Sequence, residues 1–396
     1  MIKSIITIGI CLIALLGHAQ NEVDAFDFTS IDYGGTARFI GMGSSMGALG
    51  GDLSVLSTNP AGLGLYRSAE FTVSPTFVSS NSSSSYLGEQ NDADDLNFTI
   101  NNIGYAQAYP NESGPWKMVQ FAIAMNRLKD LHTDYSIEGT QAESSLLDFV
   151  SGQATAAGLL PEELEENQPF LSFPAYDTYL INPYTVNGNT VYFDTIPNGI
   201  DLIQTADIQN RGRITETTIA GAGNYDNRLY IGASLGFVRI FKEEKYRYRE
   251  TVADTSQATL TFYQFDQDLE VSGNGFNFRI GAILRASDAI RLGGSYTTPT
   301  WYAMSNEWTT NVRSQFKNGD SYSTGSPVLG LNEYDLRTPS RLMGSLGIVI
   351  GKQGLINVDY EYLDFGKAKF SSGNFITLIP MAVTPFCSVP IDWSAN

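Results

Sequence analysis

The side chains that carry most enzymatic chemistry are scarce in this chain. There are two histidines, and only His132 lies beyond the N-terminal leader that holds His18. A hydrolase working in a membrane needs a histidine base beside a serine or an aspartate. His132 opens a long loop, so it reads as a solvated residue and no catalytic residue is assigned. Of the two cysteines, Cys11 sits in the leader, which leaves Cys387 without a partner for an internal disulfide. Metal binding is equally thin. No His/Cys cluster exists, and Asp92, Asp94 and Asp95 lack the glycine and closing glutamate of a calcium loop. The expectation is a protein that is not an enzyme and uses neither cofactor nor metal.

What remains is a chain whose informative residues are apolar, aromatic and glycine. At the N-terminus Lys3 precedes an apolar run from Ile5 to Leu16, and Gly17-His18-Ala19-Gln20 offers small residues for cleavage. This is the pattern of a secretory signal over residues 1–20. Cys11 lacks the flanking small residues of a lipidated cysteine, which argues against a lipoprotein anchor. No second apolar run approaches the ~20 residues of a membrane helix, and the mean hydropathy is -0.11. Yet 38 Gly, 21 Tyr and 22 Phe with only 17% charged residues make an odd surface for a soluble domain. A net charge of -18 disfavours nucleic acid, whose binders need a basic face.

The contradiction resolves at period two. Phe71, Val73, Pro75 and Phe77 alternate with Glu70, Thr72, Ser74 and Thr76; Val119, Phe121, Ile123 and Met125 alternate with Gln120, Ala122, Ala124 and Asn126. Phe276, Phe278, Ile280, Ala282 and Leu284 do so against Asn277, Arg279, Gly281 and Arg285. Apolar residues toward lipid and polar or small ones toward a lumen is the code of a transmembrane β-barrel. Nine strands are predicted, near 68–78, 95–109, 116–126, 213–223, 229–248, 271–285, 289–310, 335–350 and 354–369. Short Gly/Asn/Asp/Pro turns at 110–115, 224–228, 286–289 and 351–354 alternate with long connections at 79–95, 128–211, 249–270 and 311–336, the asymmetry of periplasmic and extracellular sides. The longest connection predicts a helix over 144–160, a second helix start at Pro161-Glu162-Glu163 and a hairpin at Asn187-Gly188.

Ahead of the first strand stand Tyr33-Gly34-Gly35-Thr36-Ala37-Arg38-Phe39-Ile40-Gly41-Met42-Gly43, then Ala48-Leu49-Gly50-Gly51-Asp52, then Ser57-Thr58-Asn59-Pro60-Ala61-Gly62-Leu63. A Gly-rich segment leading into an Asn-Pro-Ala-Gly turn resembles the N-terminal plug of the FadL/TodX family of outer-membrane hydrocarbon and fatty-acid transporters. Gly273–Gly281, Arg291–Thr300 and Asn357–Tyr362 resemble strands of that family's Bacteroidetes members. The likeness spans about residues 30 to 370 in patches.

That resemblance implies an all-β antiparallel barrel of fourteen strands with a plug over residues 21–66, strands and loops over 67–370 and small helices in a long extracellular loop. It implies an outer-membrane location, passive uptake of hydrophobic small molecules, and contact with outer-membrane lipid and the barrel-assembly machinery. The plug motif would be Gly41, Gly43, Asn59, Pro60, Ala61 and Gly62. Phe39, Met42, Met46, Leu53 and Leu56 are the candidate ligand-binding residues, since an apolar ligand needs an apolar concavity, with Arg38 available to a carboxylate. The same fold also serves type IX secretion as the PorV subunit, so a role in protein interaction is the alternative. The tail over 371–396 departs from the family pattern: Pro380, Pro385 and Pro390 make it a poor strand, and truncation is the expectation.

Overall fold

The computed structural model describes residues 26–111, 113–197 and 199–371; the expected export signal and the tail from 372 onward lie outside them. The strands are β1 (Glu70–Tyr86), β2 (Glu89–Pro110), β3 (Trp116–Asp130), β4 (Thr133–Ala142), β5 (Ile181–Val186), β6 (Asn189–Asp194), β7 (Leu202–Tyr225) and β8 (Leu229–Val252). They continue with β9 (Leu260–Arg285), β10 (Ile290–Thr297), β11 (Trp301–Phe316), β12 (Ser321–Ser323), β13 (Leu329–Arg337), β14 (Arg341–Ile350), β15 (Gly354–Leu363) and β16 (Lys369–Ser371). All but β5 and β6 join one fourteen-stranded antiparallel sheet. It is built from nine successive staves, because several strands are parts of one: β1, β2, β3 with β4, β7, β8, β9, β10 with β11, β14 with β13 and β12, and β15 with β16. The sheet curls around the N-terminal segment. Among the described residues its first and last staves are not paired to each other.

Strand β9 carries two opposite codes along its length. Its outward positions run Gln264, Asp266, Asp268, Glu270, Ser272 and Asn274, then change to Phe276, Phe278, Ile280, Ala282 and Leu284. Its inward positions do the reverse: Tyr263, Phe265, Leu269 and Val271 give way to Asn277, Arg279 and Gly281. The apolar outward run is nine residues long, close to the ~9–11 a tilted strand needs to cross a bilayer. Above it the code is that of a soluble β-protein, polar out and apolar in. At 26 residues, β9 extends about 85 Å at the ordinary rise per residue, so the apolar run covers only about a third of it.

Aromatic rings mark both borders of the apolar band. Trp301 stacks on Phe276 at 5.2 Å, with the Arg337 guanidinium 6.0 Å from the Trp301 ring. Trp116 meets Tyr225 edge-on at 5.3 Å beside the short turns. Such girdles belong at membrane–water interfaces, where one side of the ring is apolar and the other wet.

The nine predicted strands are the nine staves, but three predicted loops are strand. Residues 79–95 form the tips of β1 and β2, closed by the two-residue turn Leu87-Gly88, where both residues take positive φ. Residues 249–270 and 311–336 belong mostly to β8, β9, β11 and β13. The difference has one cause: above the band the outward face is polar, and a polar strand face has the composition of a loop.

The connection between β4 and β7 has its predicted structure. Helix α1 (Ala37–Gly41) belongs to the plug; here follow α2 (Leu146–Ala157), a 3-10 turn at Pro161–Glu163, α3 (Leu164–Asn167) and α4 (Ser172–Asp177). Ser145 caps α2 by accepting from the Leu147 amide, and Gly158 ends it in a left-handed conformation. The β5–β6 hairpin turns at Asn187-Gly188, both with positive φ. Leu147, Val150, Leu164, Ala175 and Ile181 of this excursion pack on Tyr248, Tyr263, Phe265 and Val312 of the inner wall. The excursion is therefore a cap seated inside the mouth of the sheet.

Candidate functional site

The plug closes the end of the lumen that bears the short turns. Thr36 caps α1 by accepting from the Phe39 amide, and its hydroxyl donates to Asp52 at 2.6 Å. Asp52 in turn caps a 3-10 turn at Leu53–Ser57, and Asn59 caps the next at Pro60–Leu65, with Pro60 at its first position. The Asn-Pro-Ala-Gly motif is thus a helical-turn start whose capping residue also reaches the wall. The Asn59 side-chain amide donates to the Gly47 carbonyl at 2.7 Å and to the Ala282 carbonyl of β9 at 3.3 Å. Gly50, at φ +60°, lies so close to Gly62 that a Cβ would fall 2.6 Å from the Gly62 Cα. Gly41 has no such neighbour and Gly43 supplies only a positive φ, whereas a Cβ on Gly47 would fall 2.2 Å from the Ser345 hydroxyl.

Two kinds of contact hold the plug. On one side Leu53, Leu56, Leu63 and Tyr66 lie on a floor of Ala106, Ala108, Ala122, Ala124, Ala220 and Ala222 from β2, β3 and β7. Small wall residues leave room for the leucines, and the contact is apolar. On the other sides the wall is polar. Arg279 of β9 donates to the Leu56 carbonyl at 2.8 Å and pairs with Glu216 of β7 at 3.2 Å, both side chains almost fully buried. Asn277 donates to the same Glu216 at 3.0 Å. Asn126 of β3 bonds Ser57, Ser295 of β10 bonds the Thr58 carbonyl, and Asp359 of β15 accepts from the Gly47 amide at 3.0 Å. A neutral, apolar interface alone would fix neither register nor height; these bonds do.

The candidate ligand residues are placed as follows. Phe39 and Met46 pack with Leu49 and Val55 inside the plug, with Met42 at the edge of that cluster, while Leu53 and Leu56 face the alanine floor. The structure thus brings them into two neighbouring packing clusters, and all but Met42 are buried. Arg38, read as available to a carboxylate, is bonded to Asp52 at 3.0 Å and to the Gly51 carbonyl.

Between plug and cap lies a storey that the sequence reading missed. Ile214, Val238, Ile240, Val271, Tyr302, Met304 and Leu336 form a buried apolar cluster on the inner faces of β7, β8, β9, β11 and β13, joined by Phe28 of the plug's first segment. A water-filled barrel has a polar interior; this level does not. The signal was present in β8, where Val238 and Ile240 flank Arg239: two apolar residues around an outward cation reverse the membrane code.

No family model matches the chain, and no curated protein matches it. Among solved structures, the toluene transporter TbuX of Ralstonia pickettii is similar at 13% identity and a TM-score of 0.31, over 84% of this chain and 93% of that one.

Proposed function

We propose that this chain is an outer-membrane protein that passes hydrophobic small molecules, long-chain fatty acids or hydrocarbons, passively across the lipid barrier. The apolar storey between plug and cap carries the reading. Val238, Ile240, Val271 and Met304, packed there as a buried apolar cluster, offer a passing solute apolar surroundings, which favour an apolar solute over water or sugars because apolar surface gains about 25 cal/mol per Å² on leaving water. The outward apolar band of β9 and its neighbours supports the membrane setting. The plug below, fastened largely by polar bonds, supports a barrier that has to rearrange before the solute passes.

The test is uptake by a Gram-negative host that lacks its own fatty-acid porin and expresses the full chain. Labelled oleate should enter faster than in the empty host, and a hydrophilic solute of similar mass should not. Val238→Asn with Met304→Gln, which puts polar groups into the storey, should slow oleate by about tenfold, the effect of ~1.4 kcal/mol on the path. Equal entry of the hydrophile, or oleate entry indifferent to the double substitution, would refute the reading.

A further inference from the structure

The cap meets the wall mostly through apolar side chains, but one buried carboxylate joins the two. Glu250, near the outer end of β8 and well above the membrane band, is 1% exposed. Its Oε1 accepts from the Leu146 amide at 2.8 Å, from the Gln204 side-chain amide at 3.0 Å and from the Tyr248 hydroxyl. Its Oε2 accepts from the Ser145 hydroxyl at 2.6 Å, and the Tyr263 hydroxyl lies 3.3 Å from that same serine oxygen. Ser145 is the residue that caps α2, so the first turn of the cap's longest helix is tied directly to the wall.

The two oxygens differ in what they can tolerate. Two of the donors on Oε1, a backbone amide and a side-chain amide, cannot become acceptors. Oε2 faces hydroxyls, which can. A proton on Oε2 would donate to Ser145, whose own hydrogen turns to Tyr263, and every bond of the seated cap survives. The ionised form has a different cost. All its hydrogen-bond partners are uncharged, and a buried charge without a counter-ion is expensive.

We propose that Glu250 is a proton-operated latch: with a proton on Oε2 the cap sits firmly over the lumen, and ionisation loosens it. The groups facing Glu250 are Tyr248 on β8, with Tyr246 further along the same strand, Tyr263 on β9, Gln204 on β7 with Tyr86 of β1 bonded behind it, and the α2 cap Ser145, whose amide Asp148 holds. Burial holds both Tyr248 and Tyr263 well above the usual phenol range, so they stay neutral. Burial likewise raises the Glu250 carboxyl, with its hydrogen bonds pulling against the rise. A carboxyl raised in the seated state favours seating fully below its open-state pKa, and that contribution is lost as pH rises through the seated-state pKa. Asp194, at the end of β6, is also raised by burial, with Asp148 adding to the rise, and acts in the same direction.

Hydrogen exchange of the full chain in nanodiscs tests this without reference to transport, so the latch and the transport reading fail separately. Exchange in residues 146–157, corrected for the intrinsic pH dependence, should show the cap opening more readily at pH ~8 than at pH ~5, by up to about tenfold per pH unit between the two pKa values. Glu250→Gln, whose amide group supplies an oxygen at Oε1 and a donor at Oε2, should keep the helix protected at both pH values. Asp194→Asn should retain most of the wild-type response. The latch is overturned if wild-type protection is flat or rises with pH, if the Glu250→Gln chain keeps the wild-type pH dependence, or if Asp194→Asn alone abolishes it. Exchange over residues 276–284 monitors the barrel. Should Glu250→Gln lose protection there, the wild-type profile and Asp194→Asn still decide.

Discussion

Replacing Arg279 with methionine is expected to destabilise the plugged barrel by about 3–5 kcal/mol, the cost of leaving one member of a buried ion pair alone. Arg279 binds Glu216, Thr297 and the Leu56 carbonyl of the plug. Its loss strands the Glu216 carboxylate, which keeps a donor from Asn277 but no cation among its hydrogen-bond partners. Adding Glu216→Gln to the same chain should return most of the loss, because a neutral side chain of similar shape needs no counter-charge. Urea titration in detergent micelles gives the three free energies, and the double-mutant cycle isolates the coupling. A neutral Arg279→Met chain would mean that the alanine floor alone holds the plug and that this pair is dispensable.

The second large effect concerns where the membrane lies. Ile280→Arg, at the middle of the outward apolar run of β9, is expected to cost about 2–4 kcal/mol, as a cation does at the bilayer midplane. Ser272→Arg lies on the same face of the same strand, above the apolar run, and should cost under ~1 kcal/mol, because that level is in water. The two sites share a strand, a face and a final residue, so any difference comes from the surroundings. Folding into liposomes, followed by heat-modifiable migration on gels, reads both. Equal costs would place the membrane border somewhere other than the Phe276–Trp301 level.

These two substitutions also show what a reader of the sequence can and cannot see. The staves were legible because Phe276, Phe278 and Ile280 alternate with polar or small residues, and the period survives any tertiary context that keeps lipid on one side. Their true lengths were not, because the alternation inverts at Asn274 without losing its period, and a face of Asp266, Asp268 and Glu270 resembles a loop in composition. The plug motif was legible in its turns: Asn59-Pro60 starts a helical turn by local chemistry alone. Which apolar plug residues face a ligand was not, since Phe39 and Leu53 have the same pattern whether they pack or bind. Glu250 was invisible for a different reason. It ends the charged run Lys242-Glu243-Glu244-Lys245, through Arg247 and Arg249, and nothing in that run reveals that one carboxylate points inward while its neighbours meet water.

Three adjacent staves break at one height. Thr298-Pro299-Thr300 separates β10 from β11, Thr338-Pro339-Ser340 separates β14 from β13, and residues 364–368 separate β15 from β16. The first two breaks satisfy each other: Thr300 donates to the Thr338 hydroxyl at 2.9 Å, and Thr338 donates to the Thr300 carbonyl at 3.0 Å. They fall beside Trp301, at the border where the outward code changes. In an unbroken barrel, strand tilt and stagger are locked together along the whole length. Here three of the nine staves interrupt their ladders at that height, so β10, β14 and β15 below and β11, β13 and β16 above pair as two separate sets, both held along one side by the unbroken β9.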